Sequence, residues 1–215
     1  IDPTWLAQAV YPVEIDPTLD LQVGASADDG YSFGIGGFTG FNTTGNLTTG
    51  KLKASDSVYW YRHYERFINV TGLGSTTIDV AYASHYGLAP VSGYTPVGTP
   101  LTKVFADDQA SPTAPTSVSD HSNRTRTTAG VDWDGTLTVD AWNNSPSLVS
   151  VIQELADSYS PSTILLLVDD DGTANPPNNS EHTFHRLKSY DDGTTLAPKL
   201  HIEYTAGGGA TIVIP

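Results

Sequence analysis

The stretch Thr163-Ile164-Leu165-Leu166-Leu167-Val168 decides the fold of this 215-residue chain. Its five apolar residues are consecutive. A strand with one face in water would instead alternate apolar and polar residues. The sequence therefore predicts a strand that is buried on both faces, in the centre of its sheet. Other runs rich in Val, Ile, Thr, Tyr and Phe alternate with clusters of Gly, Pro, Asn and Asp, as in an antiparallel sandwich or barrel. These further predicted strands cover residues 19–23, 57–70, 76–86, 101–106, 182–190 and 199–205.

A single short helix is predicted among these strands. Ser145 is expected to cap it, Pro146 suits its first position, and it should end near Asp157. Its apolar stripe comprises Leu148, Val151, Ile152 and Leu155. The segments between the predicted elements are expected to be loops, namely 34–50, 89–100, 107–126 and 169–180.

The chain divides into a central domain and two flanking segments. Residues 1–17 contain three prolines and predict an extended N-terminal arm, and residues 18–205 form the predicted β-sandwich domain. Residues 206–215 combine a Gly tether with the apolar residues Ile212, Val213 and Ile214. This segment could pair with another copy of the chain, return to its own sheet as a last strand, or serve as a linker.

Composition restricts the classes of partner. The formal net charge of -14 and the pI near 4.4 argue against binding to nucleic-acid phosphates or anionic lipid. The apolar runs are too short for membrane insertion. The chain has no Cys, so it can form neither a disulfide nor a Cys-ligated metal site.

Six of the nine Asn residues begin an Asn-x-Ser/Thr sequon. They are Asn42, Asn46, Asn69, Asn123, Asn143 and Asn178. This density indicates glycosylation and therefore an extracellular, cell-surface or virion location. A Thr- and Asn-rich β-protein whose turns happen to spell sequons is the alternative.

Acidic and histidine residues offer weak metal signals. Asp169, Asp170 and Asp171 precede a Gly and are the best candidates for a calcium site, although turn formation also explains them. No other cofactor is expected. His182 and His185 should point to opposite faces of a strand, which makes a poor metal clamp. His63, His85 and His201 are expected on solvent-facing sides of strands.

Aromatic residues are densest around residues 59–67. Trp60 and Tyr64 share one strand face, and Tyr59 and Tyr61 share the other with Phe67. One set is expected in the core, and the other, with Trp60 and Tyr64 as the candidates, in a subunit interface or a glycan-binding platform. The sequence contains neither a Gly-x-Ser-x-Gly nucleophile motif nor a Gly-rich phosphate loop followed by Lys.

An ordered series of motifs resembles the DNRLRE-type β-sandwich modules of secreted surface proteins, disaggregatase-related proteins and phage or virus structural proteins. The segments that carry the resemblance are 11–18, 27–31, 106–108, 114–117, 128–133 with Trp142, 151–155, 189–193 and 197–204. The resemblance covers about residues 10–205, but the hexapeptide that names the family is absent, and the nearest region is 64–67. The resemblance implies an all-β, antiparallel jelly-roll-like β-sandwich with one short helix and a non-catalytic role.

The expected function is therefore that of a non-enzymatic structural protein of an extracellular assembly. A virion coat, decoration or fibre protein and a surface-filament subunit both fit, with the terminal arms joining copies into a homo-oligomer or polymer. The alternative is a carbohydrate-binding or adhesive module of a larger secreted protein, with surface glycans as partners. A polysaccharide-degrading enzyme is the third hypothesis, since related modules accompany such enzymes.

Overall fold

A computed structural model of the protein describes residues 17–205. The predicted arm before Pro17 and the predicted C-terminal strand with Ile212, Val213 and Ile214 lie outside the described residues.

Thirteen strands and two helices make up the described part of the chain. The strands are β1 (Thr18–Gln22), β2 (Asp29–Ile35), β3 (Gly40–Asn42), β4 (Leu47–Ala54), β5 (Ser57–Ile68), β6 (Thr77–Tyr86), β7 (Thr95–Pro96), β8 (Thr102–Ala106), β9 (Val131–Asp132), β10 (Trp142–Asn144), β11 (Thr163–Asp170), β12 (Glu181–Leu187) and β13 (Lys199–Thr205). The helices are α1 (Val118–Ser122) and α2 (Val149–Ser158). Within residues 17–205, neither helix has the length and apolar character needed to cross a membrane.

The strands form two sheets that pack face to face, which confirms the predicted all-β sandwich class. The smaller sheet has the order β1-β13-β6-β10, and the larger has the order β7-β12-β4-β5-β11-β8-β9, with β2 paired to β5 and β3 paired to β2. The pairings are antiparallel except for the short contact between β7 and β12. Both sheets contribute to the main hydrophobic core, the larger through side chains such as Phe67 and Leu166, the smaller through Ala81 and Ile202.

Strand β11 is buried on both faces and lies between β5 and β8, as predicted. Ile164, Leu166 and Val168 point into the core between the sheets. Leu165 and Leu167 point the other way and pack with Tyr64 in a second apolar cluster. The larger sheet therefore needs cover on its outer face as well as its inner one.

The segment 107–126 lies against this outer region, and it is more ordered than the predicted loop. It contains α1, whose His121 ring packs edge-on against Tyr64 with centroids 5.2 Å apart. Arg124 pairs with the fully buried Asp107 at 2.9 Å. Paired charges let a polar segment lie on an apolar cluster, because each buried ion has its counter-ion.

Strand β5 is shared by three partners. One edge pairs with β2 over residues 59–65. The opposite edge pairs with β4 over residues 57–61 and then with β11 over residues 63–68. The larger sheet therefore forks on β5, and β4 and β11 diverge at the fork.

The predicted loop over residues 34–50 is wrong in part, because the end of β2, all of β3 and the first half of β4 lie there. Gly50 sits in β4 between Tyr61 of β5 and Phe184 of β12. A side chain at this position would collide with backbone, so the pairing requires Gly and hides the usual apolar pattern of a strand. Sequence periodicity therefore gave no signal for β4.

Helix α2 carries the predicted apolar stripe, but its start differs from the prediction. Val151, Ile152 and Leu155 are buried, and Leu148 occupies the N-cap without a side-chain capping bond. Ser145 does not cap the helix. Its hydroxyl accepts a hydrogen bond from the amide of Ala83 at 3.0 Å, because the segment before α2 first pairs with β6.

We expect Gly50→Ala to destabilise the protein by more than about 2 kcal/mol. Gly50 has a φ of 124°, and an added Cβ would lie 2.7 Å from the Cα of Phe184 and still closer to the carbonyl of Thr183. The control is Gly172→Ala, where φ is 86° but no atom lies within 4 Å of the added Cβ. It should cost only the backbone strain, about 1 kcal/mol. Urea denaturation of both variants checks the difference, and equal losses would contradict the steric argument.

Candidate functional site

A polar cluster lies inside the sandwich between the two sheets. His63 and Glu65 come from β5 of the larger sheet, and His85 comes from β6 of the smaller one. The Nε2 atom of His85 lies 2.7 Å from Oε1 of Glu65, and the Nε2 atom of His63 lies 3.3 Å from the same oxygen. All three side chains are at most 1 % exposed. This group, the inter-sheet cluster, joins the two sheets through polar atoms.

The prediction that His63 and His85 face solvent is wrong. His63 and Glu65 share the strand face of Phe67, which lies in the main core. His85 similarly follows Ala83, another core residue, by two positions. His63 and His85 each lie an even number of positions from an apolar residue of the core, and this spacing was a signal in the sequence that they share its strand face. Which face of β5 points inward, however, depends on the second sheet.

Thr49 orients the His63 ring. Its hydroxyl oxygen lies 3.1 Å from the carbonyl oxygen of Val168, where β4 and β11 diverge, and 2.5 Å from Nδ1 of His63. Because Nδ1 contacts this hydroxyl, the other ring nitrogen, Nε2, is turned toward Glu65.

The electrostatics of the inter-sheet cluster are those of a buried anion. Burial lowers the pKa of His63 and so favours its neutral form. Burial raises the pKa of Glu65, but interactions with His85 and His63 outweigh that effect and hold it at about 2. The Trp133 ring packs against His85 with centroids 4.7 Å apart and so adds apolar surroundings. Glu65 is therefore ionised at neutral pH, in a low-dielectric interior.

The donor atoms of the inter-sheet cluster could hold a metal ion. One nitrogen from each histidine and one carboxylate oxygen lie within 4.8 Å of one another, and no other such group of three occurs among residues 17–205. The burial of all three side chains leaves no room for a large substrate. Three protein ligands leave a fourth coordination position open, but burial between the sheets keeps a substrate from it, so the inter-sheet cluster suits a structural ion.

The candidate calcium ligands do not form a common site. Asp169 lies 2.9 Å from Arg126, Asp170 lies 3.5 Å from Lys51, and Asp171 lies 3.2 Å from Lys103. Each carboxylate is thus paired with a different cationic side chain, which competes with Ca²⁺ for its oxygens. The structure gives the calcium prediction no support.

The two candidate surface aromatics behave differently. Trp60 is 37 % exposed, with the Lys51 ammonium 5.4 Å from its ring centroid. Tyr64 is fully buried beneath α1, so its proposed place in a surface platform is wrong. The sequence could not show this, because the covering segment is distant along the chain.

A different set of aromatic rings crosses the larger sheet. Tyr31 and Phe33 of β2, Tyr61 of β5, and Phe184 and His182 of β12 form a continuous series, here called the aromatic row. Phe33 and Tyr61 are directly paired across β2 and β5, with ring centroids 6.0 Å apart and planes inclined by 16°. Tyr31, Phe33 and Tyr61 are half-buried, so they offer partly exposed ring surface.

A cleft of about 200 Å³ lies beside the buried end of the aromatic row. Leu88, Val97 and Leu137 contribute apolar walls, and His182 and His185 also line it. No carboxylate occurs among the described residues that line the cleft. It therefore lacks the paired acids that glycoside hydrolysis normally requires.

The six sequons differ in accessibility. Asn69, Asn123 and Asn178 are exposed, whereas Asn42, Asn46 and Asn143 are half-buried. The Asn46 side chain donates to Asp192 and accepts from Arg186, and the Asn143 amide donates to two carbonyls of its own loop. A glycan on these two residues would disrupt structural hydrogen bonds, so the exposed three are the best acceptors.

No family model matches the chain, and no curated protein matches it. The resemblance to DNRLRE-type modules therefore stays a prediction.

We expect His121→Gln to reduce the loss of stability on acidification. Burial, and secondarily the nearby Arg62, lowers the pKa of folded His121 to about 2, whereas the unfolded value is 6.5. Only the unfolded state then takes up the proton, so stability falls as the pH drops below 6.5. The loss attributable to His121 is about 2 kcal/mol between pH 7 and pH 5, and the variant should lack it in urea denaturation.

The control is His201→Gln, which should have the opposite effect. Asp20 and Glu203 raise the pKa of partly exposed His201 through hydrogen bonds. Its stabilising contribution is therefore present below pH 6.5 and is lost as the pH rises through the folded pKa. Acidification should destabilise this variant more than the wild type. Parallel pH profiles of the two variants would contradict both assignments.

Proposed function

We propose that this protein is a non-enzymatic structural subunit of an extracellular assembly, such as a virion coat, decoration or fibre protein or a surface filament. One observation carries the proposal: the amide of Tyr204 donates to the carbonyl of Pro17 at 3.2 Å. The described range thus begins and ends at the same end of the smaller sheet, where β1 starts and β13 stops. We propose that segments 1–16 and 206–215, which continue from these two points, join neighbouring copies.

Strand β1 offers a docking edge next to these segments. Within the described range it pairs along one edge, with β13, and it is the outer strand of the smaller sheet. An outer strand can accept another strand through backbone hydrogen bonds. The apolar run Ile212-Val213-Ile214 of a second copy has the β-forming character for that role.

Charge and sequon placement support the extracellular setting. The net charge of -14 disfavours a complex with nucleic acid. Exposed Asn69, Asn123 and Asn178 provide attachment points for glycans on three different loops or turns.

We expect the protein from its native source to form regular particles or filaments in negative-stain electron microscopy. Ile212→Ser combined with Ile214→Ser should yield monomers in size-exclusion chromatography with light scattering, because the added strand would lose its apolar contacts. Ile212→Val with Ile214→Val is the matched control and should still assemble.

Native material that is monomeric, or assemblies that persist in the double Ser variant, would refute the role of residues 212–214. Peptide mass spectrometry of the same native material tests the location. Sugar mass on the peptides of Asn69, Asn123 or Asn178 is expected, and bare peptides at all three would count against glycosylation.

A second candidate function, carbohydrate binding, is favoured by the aromatic row. Sugar rings stack on exposed aromatic faces, and Phe33 and Tyr61 present neighbouring rings inclined by only 16°. Tyr31 and the Asn42 amide that donates to its hydroxyl add polar atoms at the edge of these rings. A non-enzymatic adhesive module would need no more than such a platform.

We expect a glycan array to reveal selective binding, and Tyr61→Ala to weaken it about tenfold through the loss of ring stacking. Trp142→Ala is the control, since Trp142 is a 38 % exposed aromatic residue on the other sheet. An array without bound glycans, or equal losses in both variants, would exclude the aromatic row as a glycan site.

A further inference from the structure

We propose that His63, Glu65 and His85 bind one divalent transition-metal ion, with zinc as the best-fitting ion, and that this ion links the two sheets of the sandwich. The proposal does not depend on the proposed function. It rests on the geometry of the inter-sheet cluster and on atoms that the protein itself leaves unpaired.

The first argument is the convergence of three ligand atoms inside the sandwich. Nε2 of His63 and Nε2 of His85 lie 3.3 Å and 2.7 Å from Oε1 of Glu65, and the three atoms lie within 4.8 Å of one another. Two imidazole nitrogens and a carboxylate oxygen form a ligand set of zinc sites. A metal ion between them would accept one lone pair from each atom.

The second argument is the set of unsatisfied atoms. Eleven buried side-chain atoms within residues 17–205 have no hydrogen-bond partner, and three of them belong to the inter-sheet cluster, namely Nε2 of His63, Oε2 of Glu65 and Nδ1 of His85. Buried polar atoms in native proteins are nearly always paired, and exceptions can mark an ion that belongs to the site. The inter-sheet cluster is the one group of three metal-ligating side chains within residues 17–205, and each of its residues carries one of these unpaired atoms.

Distances favour a small tetrahedral ion. With zinc–ligand bonds of about 2.0–2.1 Å, neighbouring ligand atoms of a tetrahedral site lie about 3.3 Å apart. The separation of His63 Nε2 and Glu65 Oε1 is 3.3 Å. His85 Nε2 lies 2.7 Å from Oε1, so it would move outward by about 0.6 Å on binding. A water molecule supplies the fourth position.

The chemistry of the ligands selects the class of metal. Two imidazoles and one carboxylate suit zinc and its transition-metal neighbours, whereas calcium and magnesium prefer oxygen ligands throughout. The Thr49 hydroxyl acts as the outer partner that orients the His63 ring, as is usual for metal-bound histidine. Burial of the site favours a permanently bound, structural ion.

The position of the ion would matter for stability. It would connect β5 of the larger sheet with β6 of the smaller one, two strands whose cluster residues are about twenty positions apart. The chain has no Cys and therefore no disulfide to make such a link. A metal ligand set formed only in the folded state stabilises that state.

The test uses the full chain, unfolded in guanidinium with EDTA and refolded after removal of the chelator, with or without one equivalent of ZnCl₂. Refolding is needed because the buried site would exchange slowly. We expect native mass spectrometry to show one zinc ion per chain. We also expect the melting temperature to rise by roughly 5–10 °C with zinc. Refolding with Co²⁺ should give the visible absorption bands of a tetrahedral site.

Two variants and a control locate the ion. His85→Gln should abolish the zinc-dependent rise in melting temperature. Thr49→Val keeps the side-chain shape and should weaken zinc binding about 10- to 100-fold. This variant tests the site even if His85→Gln does not fold. His121→Asn is the control, because His121 is equally buried but lies outside the inter-sheet cluster. It should bind zinc like the wild type.

The proposal is overturned if refolded wild-type protein retains no zinc or cobalt, or if its melting temperature does not change with either. It is also overturned if Thr49→Val and His85→Gln bind zinc as tightly as the wild type, since the ion would then lie elsewhere.

Discussion

Burial of β11 on both faces is the constraint on which the rest of the structure depends. A strand with Ile164, Leu166 and Val168 on one side and Leu165 and Leu167 on the other cannot leave either side in water, since each such side chain contributes about 2 kcal/mol when buried. The smaller sheet covers one face. The other lies toward the segment 107–126, which is polar but carries paired charges. A two-sheet sandwich thus gains a third, partial layer, and that layer buries Tyr64 and His121.

The fork on β5 explains why the interior contains polar groups. Where β4 and β11 diverge, neither strand can complete the other's hydrogen bonds, and the Thr49 side chain bridges the gap by bonding to Val168 and His63. His63 in turn faces Glu65, and Glu65 contacts His85 on the opposite sheet. The polar chain therefore begins at an irregularity of one sheet and ends on the other sheet. Its last three side chains, His63, Glu65 and His85, bring three metal-ligating atoms within 4.8 Å of one another, which is the physical basis for the metal proposal.

The periodicity of apolar residues correctly predicted those elements whose apolar side chains pack into the core. The unbroken apolar run of β11, the alternation of β13 and the stripe of α2 are all visible in the sequence, and all three elements form. Strand β4 was missed because Gly50 is selected by backbone proximity, which leaves no apolar pattern. His63 and His85 were misplaced because alternation shows which residues share a face but not which face is inward. The ion pairs of Asp169, Asp170 and Asp171 join residues up to about 120 positions apart, and no local pattern reveals them.

The hydrogen bond between Tyr204 and Pro17 also has a mechanical consequence. Strands β1 and β13 are antiparallel neighbours, and the chain enters the first and leaves the second at the same end of the sheet. Tension between the two flanking segments would therefore peel these strands apart, breaking their hydrogen bonds one after another rather than all together. The β1–β13 pair would therefore separate at low force, while the strands of the larger sheet would carry no tension. A polymer joined through these segments would stretch at its junctions before its sandwich domains unfold.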